Sequence, residues 1–332
     1  MLTPSRSSIP TVQWRLTFAD HLDHFLARAG VRRAHHRVTP GLYALGNPTP
    51  ASPVFVTANY TLSFDALRSA LEGVAGYILA LDTKGINVWC AAGEGTFGTD
   101  ELVERIEASR LKDVVSHRQL ILPQLGAPGV AAHEVRRRSG FLVRYGPVRA
   151  ADLPAYLETG QATPEMRQVR FTLADRLTVA WVDVIRAIPL TLIVALLLYF
   201  LAGGLAATAA FVIVLSGLLF FPALLPWLPG GDFVAKGFVI GLLAAAPFAV
   251  ASLVRQPADT LPLRIGFALS YLLLIPPAVA FLALLFTGST TFTSRSGVRQ
   301  EIFKYIPRLA CTFGIGLIVF ILIRVVGRLA WF

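Results

Sequence analysis

Lys84-Gly85-Ile86-Asn87-Val88-Trp89-Cys90-Ala91-Ala92-Gly93-Glu94-Gly95-Thr96-Phe97-Gly98-Thr99 is the stretch that decides how the first half of this chain is interpreted. It follows an apolar run, 77–82, with the composition of a buried strand, and it precedes an amphipathic run, 100–109, with the spacing of a helix. In open α/β sheets, ligands bind beyond the carboxyl ends of the strands, which is where such a connection lies. The stretch therefore predicts an α/β domain with a ligand site near Cys90.

The surrounding segments alternate between strand-like and helical patterns, as an α/β sheet requires. The predicted strands are 54–57, 77–82, 119–122 and 141–145, and the predicted helices are 18–29, 62–71, 100–109 and 131–138. Residues 1–45 are interpreted as a lead-in that contains the first of these helices, followed by a loop. The fold class expected for the first half is thus a Rossmann-like α/β domain.

The second half has the composition of a membrane domain. Of 332 residues, 55% are hydrophobic and 15% charged, the mean hydropathy is +0.61, and most charges precede residue 187. A span needs about 20 apolar residues, and about five runs qualify: 187–207, 208–228, 234–254, 261–286 and 308–330. The first two join at Gly203-Gly204, so a single broken helix and four spans are the alternative. The predicted divisions are 1–45, 46–165 for the ligand-binding domain, 166–186 for a linker and 187–332 for an all-α transmembrane bundle.

The distribution of charge and the number of cysteines restrict the expected cellular location and the expected classes of partner. Basic residues are more frequent on the side of the first domain, which by the positive-inside rule predicts a multi-pass inner-membrane protein with that domain in the cytoplasm. No secretory signal is recognised at the start of the sequence. The basic residues form no stripe interleaved with aromatic residues, so no nucleic-acid partner is expected. The two cysteines, Cys90 and Cys311, predict no disulfide framework, and without a CxxC motif the chain has no cluster-binding set of its own.

Cys90 is the residue with the clearest chemistry in the soluble half. A thiolate is a soft ligand for a transition metal, and Ala91, Ala92 and Gly93 leave room for a large flat ligand to approach the sulfur. The alternative is that Cys90 is a small apolar residue before a flexible glycine loop. Other candidates to line the pocket are Thr57, with its neighbour Asn59, and the pair Gly126 and Ala127; each set follows a predicted strand and is equally explained by loop capping or a tight turn.

The segment from Asn87 to Gly93 resembles the cap-helix motif N-(V/I)-W-C-A-(A/G)-G-K of the mercury-methylating corrinoid protein family. The match fails at the last position, where this chain has Glu94 instead of lysine. The resemblance continues through 95–102, 123–130 and 144–149 and includes the order of a corrinoid domain followed by membrane helices. That family is related to the large subunit of the corrinoid iron–sulfur proteins of acetyl-CoA synthesis, to which the polar loop 287–299 is also similar.

The resemblance implies that Cys90 binds the cobalt of a base-off cobalamin as the lower axial ligand. It implies that the cofactor-binding set comprises Asn87, Val88, Trp89, Cys90, Ala91, Ala92 and Gly93, with Thr57, Gly126 and Ala127 as further candidates. The histidine motif D-x-H-x-x-G of other cobalamin proteins is absent from the sequence. The expected activity is methyl transfer from cobalamin to Hg(II), giving methylmercury.

The same resemblance implies a set of partners. The expected reductant is a ferredoxin-like protein with two [4Fe-4S] clusters, and the methyl group is expected from a methyltetrahydrofolate-type donor system. One rival hypothesis is a membrane-anchored corrinoid methyl carrier of one-carbon metabolism with another acceptor. The other is a transporter with a regulatory soluble domain, against which stands the scarcity of charges inside the predicted spans.

Overall fold

The computed structural model describes residues 9–32, 35–254, 260–290 and 295–329. The chain divides into two compact units, Met1–Arg170 and Phe171–Phe332. The first unit is a mixed α/β domain and the second is helical. The fold class predicted from the sequence is therefore confirmed.

The first unit is built on a six-stranded sheet in the order β1-β2-β4-β3-β5-β6. Its strands are β1 (Thr11–Val12), β2 (Gly41–Leu45), β3 (Val54–Ala58), β4 (Gly76–Leu81), β5 (Gln119–Leu122) and β6 (Leu142–Tyr145). Strands β4, β3, β5 and β6 run parallel, whereas β2 is antiparallel to β4. The helices are α1 (Phe18–Arg28), α2 (Thr61–Ala70), α3 (Val88–Glu94), α4 (Thr99–Ala108), α5 (Leu111–Val114), α6 (Ala132–Ser139) and α7 (Leu153–Thr159).

The two central strands carry the core of this unit. Every residue of β3 and β4 is buried, which a parallel strand covered on both faces requires. Alternate side chains enter different clusters: Val56 packs with Phe97 on one face, and Phe55 packs with Phe64 on the other. The carboxyl ends of the central strands are thereby fixed as a rigid edge.

The interpretation of the segment after α1 as a loop is wrong for Gly41–Leu45. This run forms β2 and pairs along its whole length with β4. Five apolar residues between Pro40 and Gly46 give no clear pattern, and pairing with the open edge of β4 decides their conformation. Residues 9–45 therefore contribute two strands to the sheet of the soluble unit.

The second unit contains five helices long and apolar enough to cross a membrane. Its helices are α8 (Leu173–Ala202), α9 (Gly204–Leu215), α10 (Phe221–Leu224), α11 (Phe233–Val254), α12 (Leu261–Leu285) and α13 (Arg295–Leu329), and a π-helical turn, Ser216–Phe220, joins α9 to α10. The predicted number of spans is confirmed. The division between the first two falls at Gly203, whose φ is 91°, rather than at 207/208. Since α8 and α9 pack against each other, they are two spans and not one broken helix.

Candidate functional site

The cap helix α3 begins at the residue that the motif requires. Asn87 is its N-cap, and the Asn87 side chain accepts a hydrogen bond from the backbone N–H of Cys90 at 3.0 Å. Gly95 ends the helix in the left-handed region, with a φ of 90°, which glycine adopts without steric cost. Caps at both ends stabilise a helix of seven residues that is too short to be stable alone. Cys90 is therefore held in the first turn, and it is exposed.

The loop that leads into α3 is organised by one buried side chain. Asn59, at the end of β3, is 1% exposed. Its Oδ1 accepts hydrogen bonds from the N–H of Thr83 at 3.1 Å, the hydroxyl of Thr83 at 2.9 Å and the N–H of Gly85 at 3.0 Å. The Asn59 amide donates to Asp82 at 3.3 Å. Asn59 has two possible roles, lining the pocket and capping a loop. The hydrogen bonds of its side chain are those of a loop cap.

A cleft of about 440 Å³ opens beside α3. It is lined by Phe55, Val56, Thr57, Tyr60, Leu62, Ser63, Ala66, Leu67, Asn87, Val88, Trp89, Ile121, Leu122, Pro123, Leu125, Pro147, Val148, Ala150 and Leu153. Its volume is within the range of small-molecule sites, and apolar side chains with a few polar groups are typical of such sites. The cleft lies at the carboxyl ends of β3, β5 and β6, as the sequence predicts.

The structure brings some of the predicted site residues to this cleft and leaves others outside. Thr57, Asn87, Val88 and Trp89 line it. Trp89 is 41% exposed. Cys90 is the next residue of α3 after Trp89; it is exposed and is not among the residues that line the cleft.

Ala91 and Ala92 are buried in the core beneath α3, while Gly93 is exposed. The small side chains let the helix pack closely on the sheet layer. Within the predicted site, Ala91 and Ala92 therefore support the helix that carries the exposed Cys90.

Gly126 and Ala127 lie in the turn after β5, where Gly126 packs against the ring of Phe97. A Cβ at position 126 would meet Phe97 Cε1 at 2.5 Å, and one at position 129 would meet Ala92 Cα at 3.1 Å. Neither Gly126 nor Ala127 is among the residues that line the cleft. The glycines permit the close approach of this turn to α3, so their role in the structure is packing.

Sequence reasoning missed several residues of the cleft. Leu125, Pro147 and Val148 come from loops after β5 and β6. They follow predicted strands and lie within 123–130 and 144–149, two stretches that carry the resemblance, but the sequence does not single them out as residues of a cleft. The sheet order brings these loops next to α3.

Electrostatic effects at this edge of the sheet are modest. Burial raises the pKa of Tyr145, and its hydroxyl donates to the carbonyl of Val130 at 2.6 Å. Glu94 is exposed at the end of α3, one turn after Cys90, so the two side chains lie on the same side of the helix. This position agrees with a solvent-facing Glu94.

The arginines on α6 are paired on a solvated helix surface. Arg138 lies 2.5 Å from Asp100, and Arg137 lies 2.5 Å from Glu134. Hydrogen bonding to Arg137 lowers the pKa of Glu134 despite some desolvation. Arg137 and Arg138 are therefore engaged in ion pairs at an exposed helix surface.

In the described part of the chain, no group of three or more His, Cys, Asp or Glu side chains is placed to hold a metal ion. His24 and His36 bind carboxylates instead, at 2.7 Å to Asp65 and 2.6 Å to Asp23.

The fold and site define an α/β unit with a cleft and an exposed cysteine, followed in the chain by a helical unit that has the composition of a membrane domain. Comparison with known proteins places this unit among similar sequences: residues 32–153 match the family described as CO dehydrogenase/acetyl-CoA synthase delta subunit. These residues include β2 to β6 and the whole of α3.

Relatives with the name acetyl-CoA decarbonylase/synthase complex subunit gamma are similar to the same part of the chain. The protein of Archaeoglobus fulgidus is 33% identical over 124 residues, 37% of this chain and 26% of the relative. That of Methanopyrus kandleri is 34% identical over 128 residues, 38% of this chain and 27% of the relative. That of Methanocaldococcus jannaschii is 37% identical over 97 residues, 29% of this chain and 20% of the relative. The chain thus spans about a quarter of the length of the first of these relatives.

These matches support a relationship to the subunits of acetyl-CoA synthesis and decarbonylation. They do not test the resemblance to the mercury-methylating family. The matched family region ends at residue 153, inside the first unit.

Proposed function

We propose that this chain is a membrane-anchored corrinoid methyltransferase that passes a methyl group from cobalamin to Hg(II), with Cys90 as the lower axial ligand of cobalt. The observation that carries the proposal is the exposed thiol in the first turn of a doubly capped helix, beside a cleft at the carboxyl edge of the sheet. Similarity to subunits of acetyl-CoA synthesis supports a corrinoid in this unit.

The residues present fit such a cofactor. Cys90 is exposed. Among the described residues, no group of three or more His, Cys, Asp or Glu side chains is placed to compete with it for a metal ion. Gly93, one turn further along, is exposed and has no side chain to obstruct a ligand, whereas Ala91 and Ala92 are buried beneath the helix. A base-off corrinoid has a displaced nucleotide tail, and the neighbouring cleft of about 440 Å³ has the volume and the mixed lining to hold it.

When bound, a corrinoid would supply the chemistry of accepting a methyl group and passing it to a soft electrophile. The chain supplies the position and the donor. Asn87 fixes the backbone of Cys90, and Asn59 fixes the loop before it. Thr57, Ser63 and the exposed ring of Trp89 offer hydrogen-bonding and stacking surface in the cleft.

A thiolate is a stronger electron donor than an imidazole, so ligation by Cys90 favours loss of the methyl group together with its electron pair. Hg(II) needs a methyl group of that character. The proposal therefore matches the ligand type to the acceptor.

The membrane unit would hold the α/β unit at the cytoplasmic face of the inner membrane, following the excess of basic residues on that side. Electrons for the cobalt would come from a ferredoxin-like protein with two [4Fe-4S] clusters, and methyl groups from a methyltetrahydrofolate-type donor. Of the polar loop 287–299, residues 291–294 lie outside the described residues.

The proposal is tested with the full chain purified in detergent, loaded with methylcobalamin and mixed with Hg(II) under anaerobic conditions. We expect methylmercury in an amount that follows the cofactor occupancy, and none above background for the Cys90→Ala variant. Equal methylmercury from both proteins would contradict the role of Cys90.

The second candidate function is a corrinoid methyl carrier of one-carbon metabolism with another acceptor. The observation that favours it is that the similar proteins are named as subunits of an acetyl-CoA decarbonylase/synthase complex. If loaded protein transfers methyl groups to a thiol or protein acceptor but not to Hg(II), in the presence of bound corrinoid, this candidate replaces the first.

A further inference from the structure

Helix α1 turns its apolar side to solvent. Phe18 is 82% exposed, Leu22 47% and Phe25 59%. These residues have i, i+4 and i+7 spacing, so they form one stripe on one side of the helix. His24 and Ala27, on the opposite side, are buried. The usual arrangement of an amphipathic helix on a soluble domain is therefore inverted.

Ion pairs hold α1 in this inverted orientation. Arg68 of α2 lies 2.9 Å from Asp20 and 2.6 Å from Asp65, and Asp65 also binds His24 at 2.7 Å. Burial opposes ionisation of Asp20, but hydrogen bonds from Thr17 and Arg68 outweigh it and lower the pKa of Asp20. Because Asp20 and His24 are paired with α2 inside the unit, the apolar stripe is a fixed feature of the surface.

Basic side chains flank the stripe. Arg15 precedes the helix, Arg28 lies in its last turn, and Arg32 follows it; all three are exposed. Arg15 forms an ion pair with Glu72 at 3.4 Å. Because both side chains are largely exposed, solvent and salt weaken this ion pair strongly. Phenylalanine and leucine on one side and arginine at the flanks are the features of a helix that lies in the headgroup region of a bilayer.

We propose that α1 lies in the headgroup region of the bilayer that holds this chain's own spans, with Phe18, Leu22 and Phe25 towards the acyl chains. The five membrane-type helices of the same chain keep the lipid surface at a high effective concentration. Three apolar side chains are too few to bind a membrane tightly by themselves. They are enough to hold α1 at the membrane when the lipid surface is kept at a high effective concentration. Flanking arginines favour anionic headgroups.

The test places a fluorescent reporter on the stripe of the full-length protein in lipid nanodiscs. The Phe25→Trp variant puts an indole at the C-terminal end of the stripe, and Leu142→Trp puts one at a 42% exposed apolar position on β6 of the same unit. The signal of the native tryptophans is removed by subtracting the wild-type emission. Nanodiscs are made with phosphatidylcholine and phosphatidylglycerol, with either brominated or ordinary acyl chains.

We expect brominated lipid to reduce the emission of the indole at position 25 by about twofold, since an interfacial helix buries its apolar side about 5–10 Å into the boundary with the acyl chains. The indole at position 142 should be unaffected. Adding Leu22→Asp to the Phe25→Trp protein should restore most of the emission. If Phe25→Trp does not fold, Phe18→Trp gives the same test.

Each other result overturns the proposal. An indole at position 25 that is neither quenched by lipid nor reached by aqueous iodide is covered by protein, a second copy or a partner. An unquenched indole that iodide reaches faces water. Equal quenching at positions 25 and 142 would mean that lipid contact is unspecific.

Discussion

The two cysteines of this chain are both exposed, yet their surroundings differ in every respect that matters for ligand chemistry. Cys90 lies in the first turn of a short capped helix, next to a cleft and above a hydrogen-bonded loop. Cys311 lies within α13, in a segment with a mean hydropathy of 2.5 over its most apolar window. One thiol faces water beside a rigid polar scaffold, and the other is on a surface suited to lipid.

The difference teaches that exposure alone does not mark a ligand. The backbone of Cys90 is fixed by Asn87, and the loop before it is fixed by Asn59 through three accepted hydrogen bonds. Such a scaffold holds a donor atom in one place, as a metal ligand requires. The exposure of Cys311 is what a lipid-facing helix side provides without any function.

The largest expected effect separates the two cysteines by activity. Cys90→Ala should reduce methyl transfer from bound methylcobalamin to the background rate, because the lower axial ligand is lost. Cys311→Ala should keep full activity. Both variants should insert and fold, since neither side chain is in a buried core; this is checked by size-exclusion chromatography and circular dichroism.

A loss of activity in Cys311→Ala as large as in Cys90→Ala would break the comparison, because it would mean that the membrane thiol also takes part. Full activity of Cys90→Ala, with corrinoid bound, would remove Cys90 as the ligand.

Thiol labelling sharpens the comparison and tests the orientation. In vesicles, a membrane-impermeant maleimide should label Cys90 from the cytoplasmic side only, as the positive-inside rule predicts. Cys311 should not react from either side, because it lies within a span. The measurement uses Cys311→Ala and Cys90→Ala proteins in right-side-out and inverted vesicles, and mass spectrometry of the labelled peptides. Labelling of Cys90 from the periplasmic side would reverse the proposed topology.

Removal of the loop anchor should have an intermediate effect. Asn59→Ala leaves the N–H groups of Thr83 and Gly85 without their acceptor, which should destabilise the α/β unit by about 2–4 kcal/mol and loosen the position of α3. We expect weaker corrinoid binding, measured by equilibrium dialysis, together with a lower denaturant midpoint.

Ser139→Ala is the matched control for this variant. Ser139 is a buried polar residue of the same unit whose hydroxyl donates to the Val135 carbonyl at 2.7 Å, on α6 rather than on the loop. It should lower stability without the loss of corrinoid affinity. Equal loss of affinity in both variants would mean that Asn59 acts through general stability alone.

The smallest expected effect is that of Glu94→Lys, which restores the residue type of the mercury-methylating family. A cation one turn from Cys90 attracts the negative charge of a thiolate, whereas a carboxylate repels it. Because both side chains are exposed, salt should screen the effect. We expect equal or up to about twofold higher methyl transfer at low salt and no difference at high salt.

Glu104→Lys, the same charge change at an exposed position of α4, should have no effect at either salt concentration. A clear loss of bound corrinoid in Glu94→Lys would assign Glu94 a specific contact that lysine does not make.

The parts of the fold that could be predicted are those whose residues show one clear hydrophobic pattern. The strand Gln119–Leu122 is found where it was predicted, because a short apolar run flanked by polar residues has few alternatives. Strand β2 could not be predicted, since Gly41–Leu45 is decided by its pairing with β4 and not by its own pattern.

The residues of the candidate site that are close together in the sequence could be predicted. Asn87, Trp89 and Cys90 are close together in one motif, and the structure has Asn87 and Trp89 in the lining of the cleft and Cys90 exposed in the same helix turn. Asn59 was recognisable as a polar residue after a buried strand, but its role depends on donors that lie more than twenty residues further on. Loop residues such as Val148 reach the cleft only through the order of the strands.

The most direct test of the central claim is the electron paramagnetic resonance spectrum of the cobalt(II) form of purified full-length protein. We predict a base-off spectrum without nitrogen splitting for wild type, because sulfur is the lower ligand. In Cys90→His, each line should split into a triplet from one bound ¹⁴N nucleus. A wild-type spectrum that already shows nitrogen splitting, or one identical to that of Cys90→Ala, would contradict ligation of cobalt by Cys90.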